Sequence, residues 1–275
     1  LFTLVLRTGP HATAVPLVSS APGLGGRVLV VLPALTWTGR APVDDTGDGL
    51  PTTLAAHDQI VVQRPLAGGL PPDFADQLAL LQYLSHRRVT YQVTTDLGLA
   101  EGVGPRLTGH TGVILDGSLV WLPSSLRAQL AAFARAGGNV LSLGVHSLEA
   151  QAPLTGSGAG LKAGPPGSLS PDPFGATHGA LTGTHGALIT VLDDRLGLFG
   201  DLFAFPGFSS AQQIAPPNGV ATSLAGVATG APAITAFRDG RGTVVEVGLP
   251  RFASSLQHNV DAQELLGRVW KLLSR

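Results

Sequence analysis

The stretch from Thr111 to Ser147, TGVILDGSLVWLPSSLRAQLAAFARAGGNVLSLGVHS, narrows the possible architectures more than any other part of the chain. Val113, Ile114 and Leu115 form a short apolar run that stops at Asp116 and Gly117. Pro123 suits a first helical turn, where its missing N–H costs no hydrogen bond. Leu126, Leu130, Phe133 and Ala134 recur at helical spacing, with Arg127, Gln129 and Arg135 off that face. Gly137 and Gly138 supply a left-handed stop, and Val140, Leu141 and Leu143 resume as a strand. Strand, helix, strand in this order is a βαβ crossover, which joins parallel strands and needs both sheet faces covered. The expectation is an α/β three-layer sandwich with a mostly parallel sheet.

Other segments extend this reading. Residues Leu1 to Ser20 alternate apolar side chains around Arg7-Thr8-Gly9-Pro10, the pattern of a β-hairpin. Two strands alone are marginal in water, so the hairpin reads as the tail of a preceding β-rich domain. Residues 19–26 are Ser-, Pro- and Gly-rich and read as a linker, giving a division into residues 1–22 and 23–275. RVLVVL, Arg27 to Leu32, is an unbroken apolar strand. Pro33 to Leu54 reads as a polar loop on the edge of the sheet where α/β proteins bind ligands. A short strand is expected over Gln59 to Val62, a helix over Asp73 to Arg87 and a strand over Val89 to Val93. Ala150 to Pro173 shows no period and reads as a loop, within a Gly/Pro-rich insertion over about 150–227. Further strands are expected at Ala187 to Leu192, Ala233 to Arg238 and Thr243 to Val247. The last two flank the turn Asp239-Gly240-Arg241-Gly242. Asn259 caps a final helix, with Asp261 and Glu264 in its first turn.

Composition removes several function classes. The formal charge of -1 over 275 residues offers no basic field for nucleic acid or anionic lipid. No run reaches the length of a membrane-spanning helix. The absence of cysteine removes thiolate metal sites, disulfides and a cysteine nucleophile. The chain begins at Leu1 and has no methionine, which reads as a piece of a longer protein whose flanking domains lie outside it. The absence of cysteine fits either compartment, and the expected setting is an extracytoplasmic (secreted or surface) bacterial protein.

VLVVLPALTW (Val28 to Trp37), YQVTTDLGL (Tyr91 to Leu99), ARAGGNVLSLG in the βαβ unit and GRGTVVEVG (Gly240 to Gly248) stand in a characteristic order. With them the chain resembles the carboxy-terminal domain of the N,N-dimethylformamidase large (beta) subunit family. That resemblance implies a class I glutamine amidotransferase-like, flavodoxin-like fold. It also implies where reactive groups would sit, and there the sequence departs from the family. Thr36-Trp37 is followed by Thr38-Gly39-Arg40, without the family's iron-holding tyrosine. Asp116-Gly117-Ser118-Leu119-Val120-Trp121 keeps a Trp but lacks the family's Glu. A hard oxygen-ligand iron site does not survive both losses. Gly144-Val145-His146-Ser147 places a histidine where amidotransferases carry their cysteine.

Four constellations carry possible chemistry. Asp44, Thr46 and Asp48, in DDTGDG, resemble the start of a calcium loop, although Ala55 stands where a closing Glu would be and the same residues make ordinary turns. Trp37, Asp96, Asp116, His146 and Ser147 all follow strand ends and define a ligand crevice. His146 and Ser147, with Asp96 or Asp116, could serve a hydrolase of C–N or ester bonds, but no Gly-x-Ser-x-Gly elbow is present. His178 and His185, in the repeated run THGAL, could approach a common metal; two exposed loop histidines are the plainer expectation. Phe199, Phe203, Phe205 and Phe208 form either a satellite core or a partner-binding patch. The sequence therefore leans away from an enzyme. It favours a degenerate amidotransferase-like module that binds a small molecule or protein partner or acts as a scaffold. The alternatives are a hydrolase and a calcium-stabilised structural module.

Overall fold

A computed structural model of the chain describes residues 1–9, 11–19, 26–66, 69–227 and 231–275. Pro10 of the expected hairpin turn and residues 20–25 of the expected linker lie outside the described residues. β1 (Phe2–Thr8) and β2 (His11–Leu17) form the leading hairpin. β3 (Val28–Leu32) runs directly into α1 (Ala34–Arg40), and β4 (Ile60–Val61) precedes α2 (Phe74–His86). β5 (Tyr91–Thr95), α3 (Asp96–Glu101), β6 (Gly112–Leu115), β7 (Trp121–Pro123), α4 (Ser124–Ala136) and β8 (Asn139–Leu143) follow. Four short strands come next: β9 (Ala150–Ala152), β10 (Leu154–Thr155), β11 (Lys162–Ala163) and β12 (Gly167–Ser168). Longer ones succeed them: β13 (Thr177–Gly183), β14 (Ile189–Asp194), β15 (Ala204–Phe205), β16 (Ser210–Ala215) and β17 (Thr222–Val227). β18 (Ala231–Asp239), β19 (Gly242–Val247), α5 (Phe252–Ser255) and α6 (Val260–Leu273) complete the chain.

The expected mostly parallel three-layer sandwich is not what these elements build. The main sheet has nine strands in the order β15-β14-β17-β18-β19-β8-β6-β3-β5. From β19 to β5 neighbours are parallel, and from β15 to β19 every pairing is antiparallel. The smaller sheets add antiparallel pairs, with β7 on β9 the one parallel ladder among them. The physical reason lies in the connections. Helical crossovers join only the first strands, whereas β14 to β19 have none between them and are free to pair antiparallel.

Within the parallel part, alternation sorts side chains to two cores. Val28, Val30 and Leu32 pack with Leu80, Leu84, Leu265, Leu266 and Val269 of α2 and α6. Leu29 and Val31 pack with Leu126, Leu130 and Ala134 of α4 on the opposite face. Each such side chain, fully buried, contributes about 1.5–3 kcal/mol. Beyond β19, the second face is covered not by a helix but by the β13–β16 ribbon, whose Ile214 joins Phe237 and Val244. A third cluster of Leu35, Leu54, Ile60, Trp121 and Leu161 lies under the short strands.

Two local expectations are also corrected. Residues 33–54 do not start as a loop, because Ala34–Arg40 is helical. The Asp96 carboxylate, 61 residues away, accepts the Leu35 N–H at that helix's first turn, a cap invisible in the local sequence. Residues 150–173 are not uniformly loop, since β10 and β11 build a sheet with β4, and β9 and β12 one with β7. Other signals hold: Asn259 Oδ1 accepts from Ala262 N at 3.1 Å, and Gly137 ends α4 at φ 113°. No helix among the described residues is long and apolar enough to cross a membrane.

Candidate functional site

The carboxyl ends of β3, β5, β6 and β8 share one rim, because these strands run parallel in register. Trp37, Asp96, Asp116, His146 and Ser147 all lie just beyond those ends. The structure gathers them on the rim but does not leave them reactive. Trp37 is buried, edge-on to Phe74 at 6.1 Å, and its indole N–H donates to Gln77 Oε1 at 3.2 Å. Asp96 accepts from Leu35 N at 3.1 and 3.2 Å and from Leu97 N at 2.7 Å. Burial raises its carboxyl to about 7, although these amides pull the other way. Asp116 is fully buried and neither oxygen has a hydrogen-bond partner. Burial first, and then the charge of Asp76, hold its carboxyl well above the usual range.

His146 and Ser147 are adjacent in sequence but face different neighbours. Ser147 Oγ accepts from Leu119 N at 3.2 Å, lies 3.4 Å from Ser142 Oγ and donates to Gly117 O at 3.5 Å. It is 2% exposed. His146 turns its Nδ1 to Glu149, 3.1 Å from Oε2, while its backbone N–H donates to Gln212 Oε1 at 2.6 Å. Gln212 closes the ring by donating to Glu149 Oε1. The turn carrying them is strained, with Gly144 at φ 98°, His146 at 57° and Leu148 at 60°. Gly144 tolerates no side chain, since a Cβ there would sit 2.8 Å from Ser118 N.

Cavities do not coincide with the buried carboxylates. A groove of about 420 Å³ lies between α2 and α6, walled by Tyr83, Arg87, Gln263 and Trp270, away from the rim. A cleft of about 320 Å³ opens beside Glu149, with His57, Trp121 and Leu54 along its walls. We take this cleft as the candidate ligand site, because Glu149, the partner of His146, lines it and the larger groove touches no rim residue.

The acidic loop is occupied by its own backbone. Asp44 Oδ1 accepts from Thr46 N and Gly47 N, and its Oδ2 from Gly49 N at 2.8 Å. Those amides, Gly49 foremost, hold its carboxyl below the usual range. Asp45 turns away to Val61 N and to Arg64, whose side chain is 2% exposed, and Asp48 accepts from Leu50 N. Thr46 Oγ1 also lies 3.2 Å from Asp44 Oδ1, so in this structure the loop is ordered by its own turn hydrogen bonds.

The two histidines of the repeated run part company. His185 is exposed at φ 51°, whereas the His178 side chain is only 5% exposed, against the expectation of two exposed loop histidines. The reason is that residues 177–183 form β13, a largely exposed strand that turns the His178 side chain inward toward Asp172 and Glu246. His178 Nε2 lies 2.9 Å from Glu246 Oε2 and 3.6 Å from Asp172 Oδ2, without hydrogen-bond alignment to either. Burial opposes a charged His178, but the two carboxylates outweigh it and raise it to about 10. Burial, then the charge of Asp172, raises Glu246 to about 8. Sequence reasoning missed Asp172, Glu246, Glu149 and Gln212. Glu246 had a signal, a lone charge inside the apolar run Thr243–Val247. The phenylalanines are mainly core: Phe199 and Phe205 are buried in edge contact at 5.9 Å, Phe208 stacks on Phe252, and Phe203 is 82% exposed.

No family model matches the chain, and no curated protein matches it. Among solved structures, the β-galactosidase of Rahnella sp. R3 is similar with a TM-score of 0.55 and 16% identity, over 92% of this chain and 32% of that one. The β-galactosidase of the haloarchaeon Halorubrum lacusprofundi has a TM-score of 0.47 and 19% identity, over 90% of this chain and 30% of that one. A cytoplasmic protein of Salmonella typhimurium LT2 has a TM-score of 0.45 and 9% identity, over 72% and 87%. The chain spans about a third of the length of the two β-galactosidases. At these identities the first likeness describes fold alone.

Proposed function

We propose that this chain is a non-catalytic binding or scaffolding module of a larger extracytoplasmic bacterial protein. One observation carries the reading: the hydroxyl of Ser147 is held by Leu119, Gly117 and Ser142, while the imidazole of His146 engages Glu149. A serine nucleophile needs its base within hydrogen-bond reach, and this pair does not form one. Asp96 and Asp116 are walled in behind the rim. The likeness to about a third of a β-galactosidase fits a fold used as one part of a longer chain. Glycosidase chemistry itself needs two carboxyl groups flanking a sugar, and the cleft is lined by one, Glu149.

A second reading has its own support. The strained turn at His146 and the His146–Glu149–Gln212 ring would orient an imidazole to activate water at the mouth of the cleft. Incubation with p-nitrophenyl acetate, a p-nitrophenyl anilide and p-nitrophenyl β-galactoside separates the two. The module reading expects hydrolysis no faster than with His146→Ala or Ser147→Ala protein. Turnover that falls about 100-fold or more in either variant would establish the hydrolase instead.

A further inference from the structure

Among the described residues, a dense cluster of unpaired polar groups lies under the β13–β16 ribbon. Asp172, His178 and Glu246 come from a loop, from β13 and from β19, and one ligand atom of each lies within 4.8 Å of the others. Their side chains are 0%, 5% and 1% exposed. Asp172 is fixed in place because its Oδ1 accepts from Phe174 N and Ala176 N, both at 2.9 Å. Its Oδ2 is left without a hydrogen bond and faces His178. Both oxygens of Glu246 and both ring nitrogens of His178 also lack one. No aligned hydrogen bond therefore holds the ring nitrogens, and a metal that binds Nε2 has only to displace its proton.

Once both carboxylates are ionised, one imidazolium supplies only half of the charge they need, and a divalent ion supplies all of it. The distances also speak for a shared ion. Donors gathered tetrahedrally at about 2.1 Å from one metal lie roughly 3.4 Å from each other. The 2.9 and 3.6 Å separations from Nε2 bracket that spacing, and Nε2 is aligned with neither oxygen. From this geometry we propose that Asp172, His178 and Glu246 bind one divalent first-row transition ion, with Zn²⁺ the best fit. One nitrogen and two carboxylate donors suit Zn²⁺, whereas Ca²⁺ requires six to eight oxygens. The ion pins the ribbon to β19, so its role is structural, and a fourth ligand position falls to water.

The test uses tag-free full-length chain, stripped with EDTA and dialysed into chelator-free buffer. Calorimetric titration with ZnCl₂ is expected to show one saturable site per chain, with a rise in thermal midpoint that MgCl₂ and CaCl₂ at equal concentration do not produce. Glu246→Gln and Asp172→Asn keep side-chain volume and are expected to weaken binding at least 10-fold, while His185→Ala leaves it unchanged. Where either variant fails to fold by circular dichroism, Co²⁺ added to the wild-type chain gives an independent readout, a visible d–d band displaced by Zn²⁺. Absence of saturable Zn²⁺ binding and of that band overturns the assignment. So does undiminished binding in both folded carboxylate variants.

Discussion

Asp96 shows how one buried carboxyl sets a pH dependence. In the unfolded chain an aspartate titrates near 3.9, whereas burial raises Asp96 to about 7 in the fold. Between those values the folded chain holds a proton that the unfolded chain has lost. Stability therefore falls as pH rises from about 4 to about 7 and levels off above. For so fully buried a group the effect is on the order of 2–4 kcal/mol. Asp116, raised by burial and by Asp76, acts in the same direction. Asp96→Asn keeps one acceptor for Leu35 N and cannot ionise, so urea denaturation at pH 4.5 and pH 8 is expected to show a smaller difference in the variant. Equal pH slopes in the two proteins would mean that the amide bonds, not burial, govern Asp96.

At the scale of elements, α6 illustrates where stability resides. Leu265, Leu266, Val269 and Leu273 are buried against β3 and β8 side chains, whereas Val260, at its first turn, is 71% exposed. Leu266→Ala is expected to cost about 2–5 kcal/mol, and Val260→Ala less than about 0.5 kcal/mol, in urea midpoints. A small effect of Leu266→Ala would show that the sheet face relaxes into the space. The hairpin β18–β19 is tied to α4 in a different way, by backbone proximity. Gly242 has no room for a Cβ against Gly138 O and Ala134 O, and Asn139 Oδ1 accepts from Thr243 N at 3.0 Å.

For the whole molecule, the leading hairpin stands apart from the rest. Phe2, Leu4, Val5, Leu6 and Leu17 are between 41% and 65% exposed, and Leu1 and Val18 are the hairpin-flanking residues that reach the main core. Removing residues 1–17 is expected to leave a cooperative melt with a midpoint within about 4 °C of the full chain, since few buried contacts are lost. Scanning calorimetry decides this, and loss of the cooperative transition would show the hairpin to be integral to the fold.

Local physics made part of this legible. Continuous apolar runs at Val28–Leu32 and Val140–Leu143 mark strands buried on both faces, Asn259 and Gly137 mark helix ends, and Asp239–Gly242 marks a hairpin. Residues 177–183 and 210–227 were not legible as strands, because Thr, Gly, Ala, Ser and Gln give no alternation to read. The candidate site was half visible. Position after a strand placed Asp96, Asp116, His146 and Ser147 on one rim, but their partners Leu35, Leu119 and Gln212 are 61, 28 and 66 residues away.

By itself, then, the sequence determined the buried strands of the parallel half and the ends of α4 and α6, because periodicity and capping act over a few residues. Tertiary structure alone decided that half of the main sheet is antiparallel, that His146 faces Glu149 and not Ser147, and that Asp172, His178 and Glu246 share one buried space. Those outcomes depend on which distant surfaces meet when the cores close, and no local pattern encodes that.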